Sequence, residues 1–63
     1  MHYIKIKNHI IDLKEICHAH PYFDRLVIVF KNGTNVEICF SGDFDKRDAE
    51  LNYLWLALTN MKQ

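Results

Sequence analysis

The sequence is poor in the residues that usually shape or cross-link a very small protein. Its 63 residues include two glycines, one proline, two cysteines and a single serine, Ser41. Two cysteines cannot build a disulfide framework. The N-terminus lacks the apolar run of a signal peptide, and no stretch approaches the roughly 20 apolar residues that cross a bilayer. These absences predict a cytoplasmic protein without a membrane span.

Net charge is also missing, because eight basic residues balance eight acidic ones. A nucleic-acid-binding protein normally carries a basic surplus, since phosphate neutralisation supplies most of its non-specific affinity. The composition is otherwise that of a globular protein, 49% hydrophobic and 25% charged, which argues against disorder. A chain this short buries only about 60% of its unfolded surface. We therefore expect residues 1–63 to form a single domain that is only marginally stable alone.

Alternation over YIKIK predicts a first strand that is half buried. Ile4 and Ile6 face the core in this reading, and the opposite face holds Tyr3, Lys5 and Lys7. A second short strand, IIDL, follows after a turn. Asp12 favours a tight turn after it, because its carboxylate can accept from the backbone two residues further on.

The segment LVIVFKNGTNVEICF predicts a hairpin, since Asn-Gly between apolar runs is a strong turn signal. A two-residue loop would scatter the apolar side chains over both faces. A three-residue loop, with Phe30 opposite Thr34, gathers them on one face, and the hydrophobic pattern decides the register. We therefore expect Gly33 in the left-handed conformation, as a bulge after a type I turn.

The C-terminal third predicts a helix with Asp45 as its N-cap and Phe44 stapled to Ala49. A 3.6-residue period places the core stripe at Leu51, Leu54, Trp55 and Leu58. The predicted fold class is α+β, a meander of four to five short antiparallel strands with one C-terminal helix packed on one face.

The segment ICHAHPYF predicts an edge strand, since proline cannot donate to a ladder and favours an edge position. We expect Pro21 to break or bend this strand. Alternation puts His18 and His20 on one face, together with Ile16 and Tyr22. It puts Cys17 and Ala19 on the other face, as small core residues.

Two histidines on one strand face form a real ligand pair for a metal ion. His18 and His20 are therefore metal candidates, and a third ligand would come from another strand. Cys39 is the preferred third ligand, and the others are His2, His9 and Glu37. A structural zinc site usually takes its four ligands from two cysteine or histidine pairs, and the sequence offers only one such pair. We therefore favour the alternative that both histidines are ordinary solvent-facing residues of a strand, and we predict no metal.

Catalysis is not expected. A strand would send the Cys17 thiol to the face opposite the two imidazoles, so a nucleophile–base pair would not form. The sequence contains no phosphate-binding glycine loop, and no cofactor is predicted. Weak nucleic-acid binding stays open through Tyr3, Lys5 and Lys7, which share a strand face in this reading.

Surplus apolar surface predicts a protein interface. Val27 and Val29 lie behind the hairpin, and Tyr53 and Leu56 lie outside the helix stripe. Either these residues contact a partner, or the first two strands cover the valines. We expect a protein-binding module that is a homodimer, with the helix contact favoured because Trp55 adjoins Leu56.

The pattern I-x-I-x-N-x-x-I-[DN]-L-x-x-I, followed by F-x-x-G-x-x-I-x-I-x-F, resembles small phage and bacterial proteins. The first pattern is met at Ile4, Ile6, Asn8, Ile11, Asp12, Leu13 and Ile16. The second is met at Phe30, Gly33, Val36, Ile38 and Phe40, with Val36 for the first isoleucine. The matching residues are core and turn positions, so they carry over a fold and no site. Such proteins include inhibitors of host defence, among them anti-CRISPR proteins, and the resemblance implies an inhibitor of that kind.

Overall fold

The computed structural model describes residues 2–61 as five strands and one long helix. The strands form two antiparallel sheets, β1-β2 and β3-β4-β5. Their bounds are β1 Tyr3–Ile6, β2 His9–Asp12, β3 Ile16–Tyr22, β4 Arg25–Phe30, β5 Asn35–Cys39 and α1 Phe44–Met61. The predicted α+β class, antiparallel strands and C-terminal helix are confirmed, and the strands are divided between two sheets. No helix within residues 2–61 has the length and apolar character needed to cross a membrane.

A short 3-10 helix, Leu13–Glu15, separates the two sheets along the chain. It begins where expected, because the Asp12 carboxylate accepts from the Lys14 backbone N–H at 3.0 Å. This turn carries the chain out of β2, and the next strand pairs with β4. The Lys31 N–H then donates to the Glu15 carbonyl at 2.8 Å, which ties the turn to the second sheet.

The first hairpin has the predicted alternation, with Ile4 and Ile6 in the core and Tyr3 and Lys5 exposed. Lys7 departs from the prediction that it shares a strand face with Tyr3 and Lys5. The register pairs Ile6 with His9, which leaves Lys7 in a two-residue loop, with φ +53. Its ammonium donates to the Cys39 carbonyl at 2.8 Å.

The hairpin between β4 and β5 has the predicted three-residue loop. The Phe30 N–H donates to the Thr34 carbonyl at 2.8 Å, and Leu26 pairs with Ile38. Gly33 has φ +90, the left-handed backbone that was expected there. The hydrophobic pattern therefore selected the correct register.

Strand β3 lies at the edge of its sheet as predicted, but a bulge changes its phase. Ile16 pairs with Phe30 and His18 with Val29, so Cys17 is an extra residue that has no position opposite it. The bulge lets Ile16 and His18 face opposite sides, although they are two residues apart. Cys17 is consequently exposed, and its prediction as a small core residue is wrong.

The predicted break at Pro21 is also wrong. The strand continues through Pro21, which pairs with Leu26, and ends at Tyr22. An edge strand tolerates proline wherever the missing N–H would have faced away from the neighbouring strand.

Helix α1 begins two residues earlier than predicted. The Asp43 carboxylate accepts from the Lys46 N–H at 3.0 Å, so Asp43 is the N-cap and Asp45 lies in the first turn. Phe44 then lies inside the helix, which removes the predicted staple to Ala49. Gly42, with φ +81, supplies the turn directly before the cap.

The core lies between the inner face of the larger sheet, the first hairpin and α1. Its buried members are Ile4, Ile6, Ile11, Leu13, Ile16, Leu26, Ile28, Ile38, Phe40 and Leu54. Leu51 and Leu58 pack against it as predicted. Trp55 does not, because it lies about 100° around the helix from Leu54 and is 64% exposed.

Candidate functional site

The two histidines of β3 lie side by side on the outer face of the larger sheet, away from the core. Both are exposed, and their rings stack with centroids 5.4 Å apart and planes 20° apart. Their register partners on β4 are Val29 for His18 and Val27 for His20. The strand geometry thus brings together the ligand pair that the sequence indicated.

Cys39, the preferred third ligand, is not brought to this pair. It lies on β5, so the whole of β4 separates it from the histidines. Its thiol is instead 3.7 Å from the Asp24 carboxylate. Within residues 2–61 no three or more His, Cys, Asp or Glu side chains are grouped to hold a metal. One copy of the chain therefore offers two imidazoles on the outer face.

The valines predicted as interface residues offer little surface. Val27 is only 6% exposed because it occupies the middle of the outer face, with His20 opposite it on one side and Glu37 on the other. Val29 is half-buried. Beside them Arg25 donates to Glu37 at 2.9 Å, and this carboxylate raises the pKa of Arg25.

The predicted helix residues are open to solvent. Tyr53 is 48% and Leu56 is 52% exposed. Leu56 lies about 200° around α1 from the buried Leu54, so it points away from the core. Tyr53 and Trp55 lie on opposite flanks of the helix, on either side of the core stripe.

A cluster that sequence reasoning missed lies at the tip of the β3–β4 hairpin. We call Tyr22, Phe23 and Phe44 the aromatic patch. Tyr22 and Phe23 meet edge to face, with centroids 4.5 Å apart, and all three side chains are more than half exposed. Phe23 occupies a two-residue loop with φ +53, a backbone conformation that is rare for a bulky residue.

Arg47 of α1 holds the aromatic patch together. Its guanidinium donates to the Phe23 carbonyl and lies over the Phe44 ring, 5.0 Å from the centroid. It also pairs with Asp48 at 2.7 Å, and its own side chain is only 16% exposed. A single cation therefore fixes the hairpin tip against the start of the helix.

Asp24 also holds the tip of the β3–β4 hairpin in place, through two hydrogen bonds. Its carboxylate accepts from the Gly42 N–H at 2.9 Å, and its carbonyl accepts from the Phe40 N–H at 2.9 Å. The β3–β4 loop is thus bound to the segment between β5 and α1. In the sequence, one signal for this turn is the aspartate that follows two aromatic residues between two predicted strands. No glycine marks the turn.

A groove runs between β3 and α1. It has a volume of about 350 Å³ and is lined by Ile16, Cys17, His18, Trp55, Leu58 and Thr59. An adjoining hollow of about 260 Å³ continues it toward Ala19 and Leu51. Cys17 and His18 line it from β3, the edge strand, and Trp55 lines it from α1.

The surface proposed for nucleic acid is reduced to Tyr3 and Lys5. Both are exposed on β1, but the Lys7 ammonium is committed to the Cys39 carbonyl and lies 5.3 Å from the centre of the Phe40 ring. One lysine beside one tyrosine is a small footprint for a phosphate backbone.

No protein-family model matches the chain, and neither a curated protein nor a solved structure matches it. The resemblance to small phage and bacterial proteins therefore gains no support from these comparisons.

Proposed function

We propose that this chain is a non-enzymatic protein-binding module that docks on its partner through the aromatic patch. The observation that carries the proposal is that Tyr22, Phe23 and Phe44 are exposed, while Arg47 binds the Phe23 carbonyl and the Phe44 ring and Tyr22 meets Phe23 edge to face. Aromatic side chains dominate the binding energy of protein interfaces. Burying one large apolar side chain contributes roughly 1.5–3 kcal/mol, and three in one place form an anchor.

Fixing the aromatic patch in advance strengthens this role. Association costs free energy for each loop that it must order. The Phe23 backbone is already tied through its carbonyl to Arg47, and Asp24 is tied to Gly42. Asp48 balances the Arg47 charge, so the complementary surface is an uncharged apolar pocket on another protein.

The partner class comes from the resemblance alone. It implies an inhibitor of a host defence complex, of the anti-CRISPR kind, acting in the cytoplasm. The zero net charge favours docking on a protein surface over mimicry of a nucleic acid. Self-association through Tyr53 and Leu56 is a separate proposal, since these residues lie on the helix and not in the aromatic patch.

Site-specific photo-cross-linking tests the docking surface. Benzoylphenylalanine replaces Phe23, an exposed aromatic residue, and in a matched control it replaces Ile10, which is 75% exposed on β2 in the other sheet. Illumination of bacterial cells, with and without phage infection, should give one defined adduct from position 23 and none from position 10. Phe44→Ser, combined with the probe at position 23, should weaken that adduct.

Adducts of equal yield from both positions, or from neither, would contradict docking through the aromatic patch. The inhibitor class has its own readout. Cells with an active defence complex that express the chain should be plaqued more efficiently by a targeted phage, and cells that express a Phe23→Ser, Phe44→Ser variant should not. No gain in plaques with the unaltered chain would remove the inhibitor assignment and leave the docking surface to the cross-linking result.

A further inference from the structure

His18 and His20 lie on β3, which within residues 2–61 pairs with β4 alone and so leaves one edge open. That edge has a definite hydrogen-bonding geometry. Residues of an antiparallel pair alternate between positions that exchange both backbone hydrogen bonds and positions that exchange none. Pro21 has no N–H, so its pairing with Leu26 is of the second kind. Ala19, two residues away, is of the same kind in its pairing with Ile28. The N–H and C=O of Ala19 therefore point away from β4, toward the open edge.

This orientation allows two copies of β3 to pair antiparallel about a two-fold axis at Ala19. The two alanines would exchange both backbone hydrogen bonds. The next position on each side then places His18 opposite His20 of the second copy. Such a non-hydrogen-bonded pair brings its Cα atoms to about 4.5 Å, with side chains close together on one face.

We propose that His18 and His20 form half of a zinc site that a second copy of this chain completes. Four imidazoles would meet on the outer face around the two-fold axis, two from each edge strand. Four nitrogen or sulfur ligands in a tetrahedron are the set that a structural zinc ion takes, and neutral imidazole suits zinc. One copy supplies two of these ligands, already adjacent at 5.4 Å between ring centroids.

The same edge explains why the contact needs the metal. Pro21 removes one donor from the free edge, and the bulge at Cys17 interrupts the ladder at the other end. Both are features that discourage strands from pairing edge to edge. The alanine pair alone provides two hydrogen bonds, each of which contributes about 0.5–1.5 kcal/mol net. The zinc ion therefore supplies the free energy that holds the two copies together.

This site is independent of the aromatic patch, and its test uses zinc alone. Tag-free protein is studied by sedimentation velocity and by calorimetric titration, first in chelator and then with Zn²⁺. We expect one zinc ion per two chains. In the Leu56→Asp variant, which lacks the proposed helix contact, Zn²⁺ should double the mass measured in chelator. Co²⁺ in place of Zn²⁺ should give the intense visible absorption of tetrahedral cobalt.

The chain offers a matched control for the ligands. His18→Ala and His20→Ala should each lower zinc affinity by at least tenfold and abolish the zinc-dependent doubling of mass. His9→Ala, at an exposed histidine on β2, should leave both unchanged. Circular dichroism in chelator confirms the fold of each variant. Leu56→Asp should keep the zinc response, because the proposed helix contact does not involve the metal.

Three results would overturn the site. The first is one zinc ion per chain without a change of mass. The second is a zinc-dependent doubling that survives His18→Ala and His20→Ala together. The third is a loss of binding in His9→Ala equal to that in His18→Ala.

Discussion

Because the chain has only two glycines, larger residues occupy some of its left-handed turn positions. Left-handed backbone occurs at Gly33 and Gly42, and also at three larger residues, Lys7, Phe23 and Ser41, each with φ +53. Such a conformation costs a residue with a β-carbon roughly 1–2 kcal/mol. Contacts elsewhere hold it in place, as the Lys7 ammonium does at the Cys39 carbonyl and Arg47 does at Phe23. Backbone strain of this kind collects at functional sites, and Phe23 belongs to the proposed docking surface.

Gly33→Ala should destabilise the protein by about 1 kcal/mol through the backbone alone. A β-carbon at Gly33 would meet nothing within 4 Å, so no clash contributes. Urea unfolding followed by circular dichroism gives the free energy of unfolding. The converse change, Ser41→Gly, should be neutral or stabilising. Equal losses from both substitutions would show that φ is not the cause.

A turn residue's backbone geometry can be predicted where the residue type itself signals it. Gly33 follows Asn32, whose carboxamide oxygen accepts from the Thr34 N–H at 3.0 Å, and Asn-Gly is a recognised turn signal. Lys7 and Phe23 are not turn formers, so nothing local to either residue predicts its left-handed backbone. The hairpin pairing on both sides determines it.

The sequence predicted correctly which segments are strands and which is the helix. It predicted less well which face of a strand each side chain occupies. A strict two-residue period places Ile16 and His18 on one face, and the bulge at Cys17 shifts that period by one. No residue type in the segment marks the bulge. Ile16 packs in the core, and Ala19 pairs with Ile28 on the same face. These residues are three apart, so a regular strand would put them on opposite faces, and the bulge is what brings them to one face.

Substitutions at the start of α1 can show which of two nearby aspartates, Asp43 or Asp45, is the N-cap. Asp43→Ala should cost about 1 kcal/mol, because it removes the acceptor of the Lys46 N–H. Asp45→Ala, in the first turn, should cost only a few tenths to about 1 kcal/mol, through its interaction with the helix dipole. Urea unfolding of the two variants side by side checks the order. A larger loss in Asp45→Ala would restore the cap predicted from the sequence.

For the whole molecule, the core follows from the sequence and the candidate surfaces do not. Most core residues lie at regular spacings along their elements, so periodicity finds them, although it also placed Cys17 and Trp55 in the core, and both are exposed. The aromatic patch joins a hairpin loop to the first turn of a helix about twenty residues later, and Arg47 links the two. Only the packing of these elements brings such residues together. The paired histidines were found because both lie on one strand.

Self-association through the helix is the prediction that belongs to the whole chain. A domain of this size has a small core, where area gains and ordering entropy nearly cancel. Burial of Leu56 and Tyr53 against a second copy would contribute roughly 1.5–3 kcal/mol for each large side chain. A two-fold contact is the commonest arrangement for a soluble homo-oligomer. In chelator and at micromolar concentration, light scattering should give about twice the 7.5 kDa mass of one chain.

Leu56→Asp should shift that mass toward one chain and lower the melting temperature. Leu56 points away from the core, so the substitution adds a charge to the proposed interface without opening a cavity. Asn35→Asp is the matched control: Asn35 is exposed on β5, outside the proposed helix contact, so the same added charge should leave the mass unchanged. A single-chain mass that does not depend on concentration would contradict the helix contact. Leu56 would then lie on a solvent-facing side of α1, and any second copy would have to join through the edge of β3.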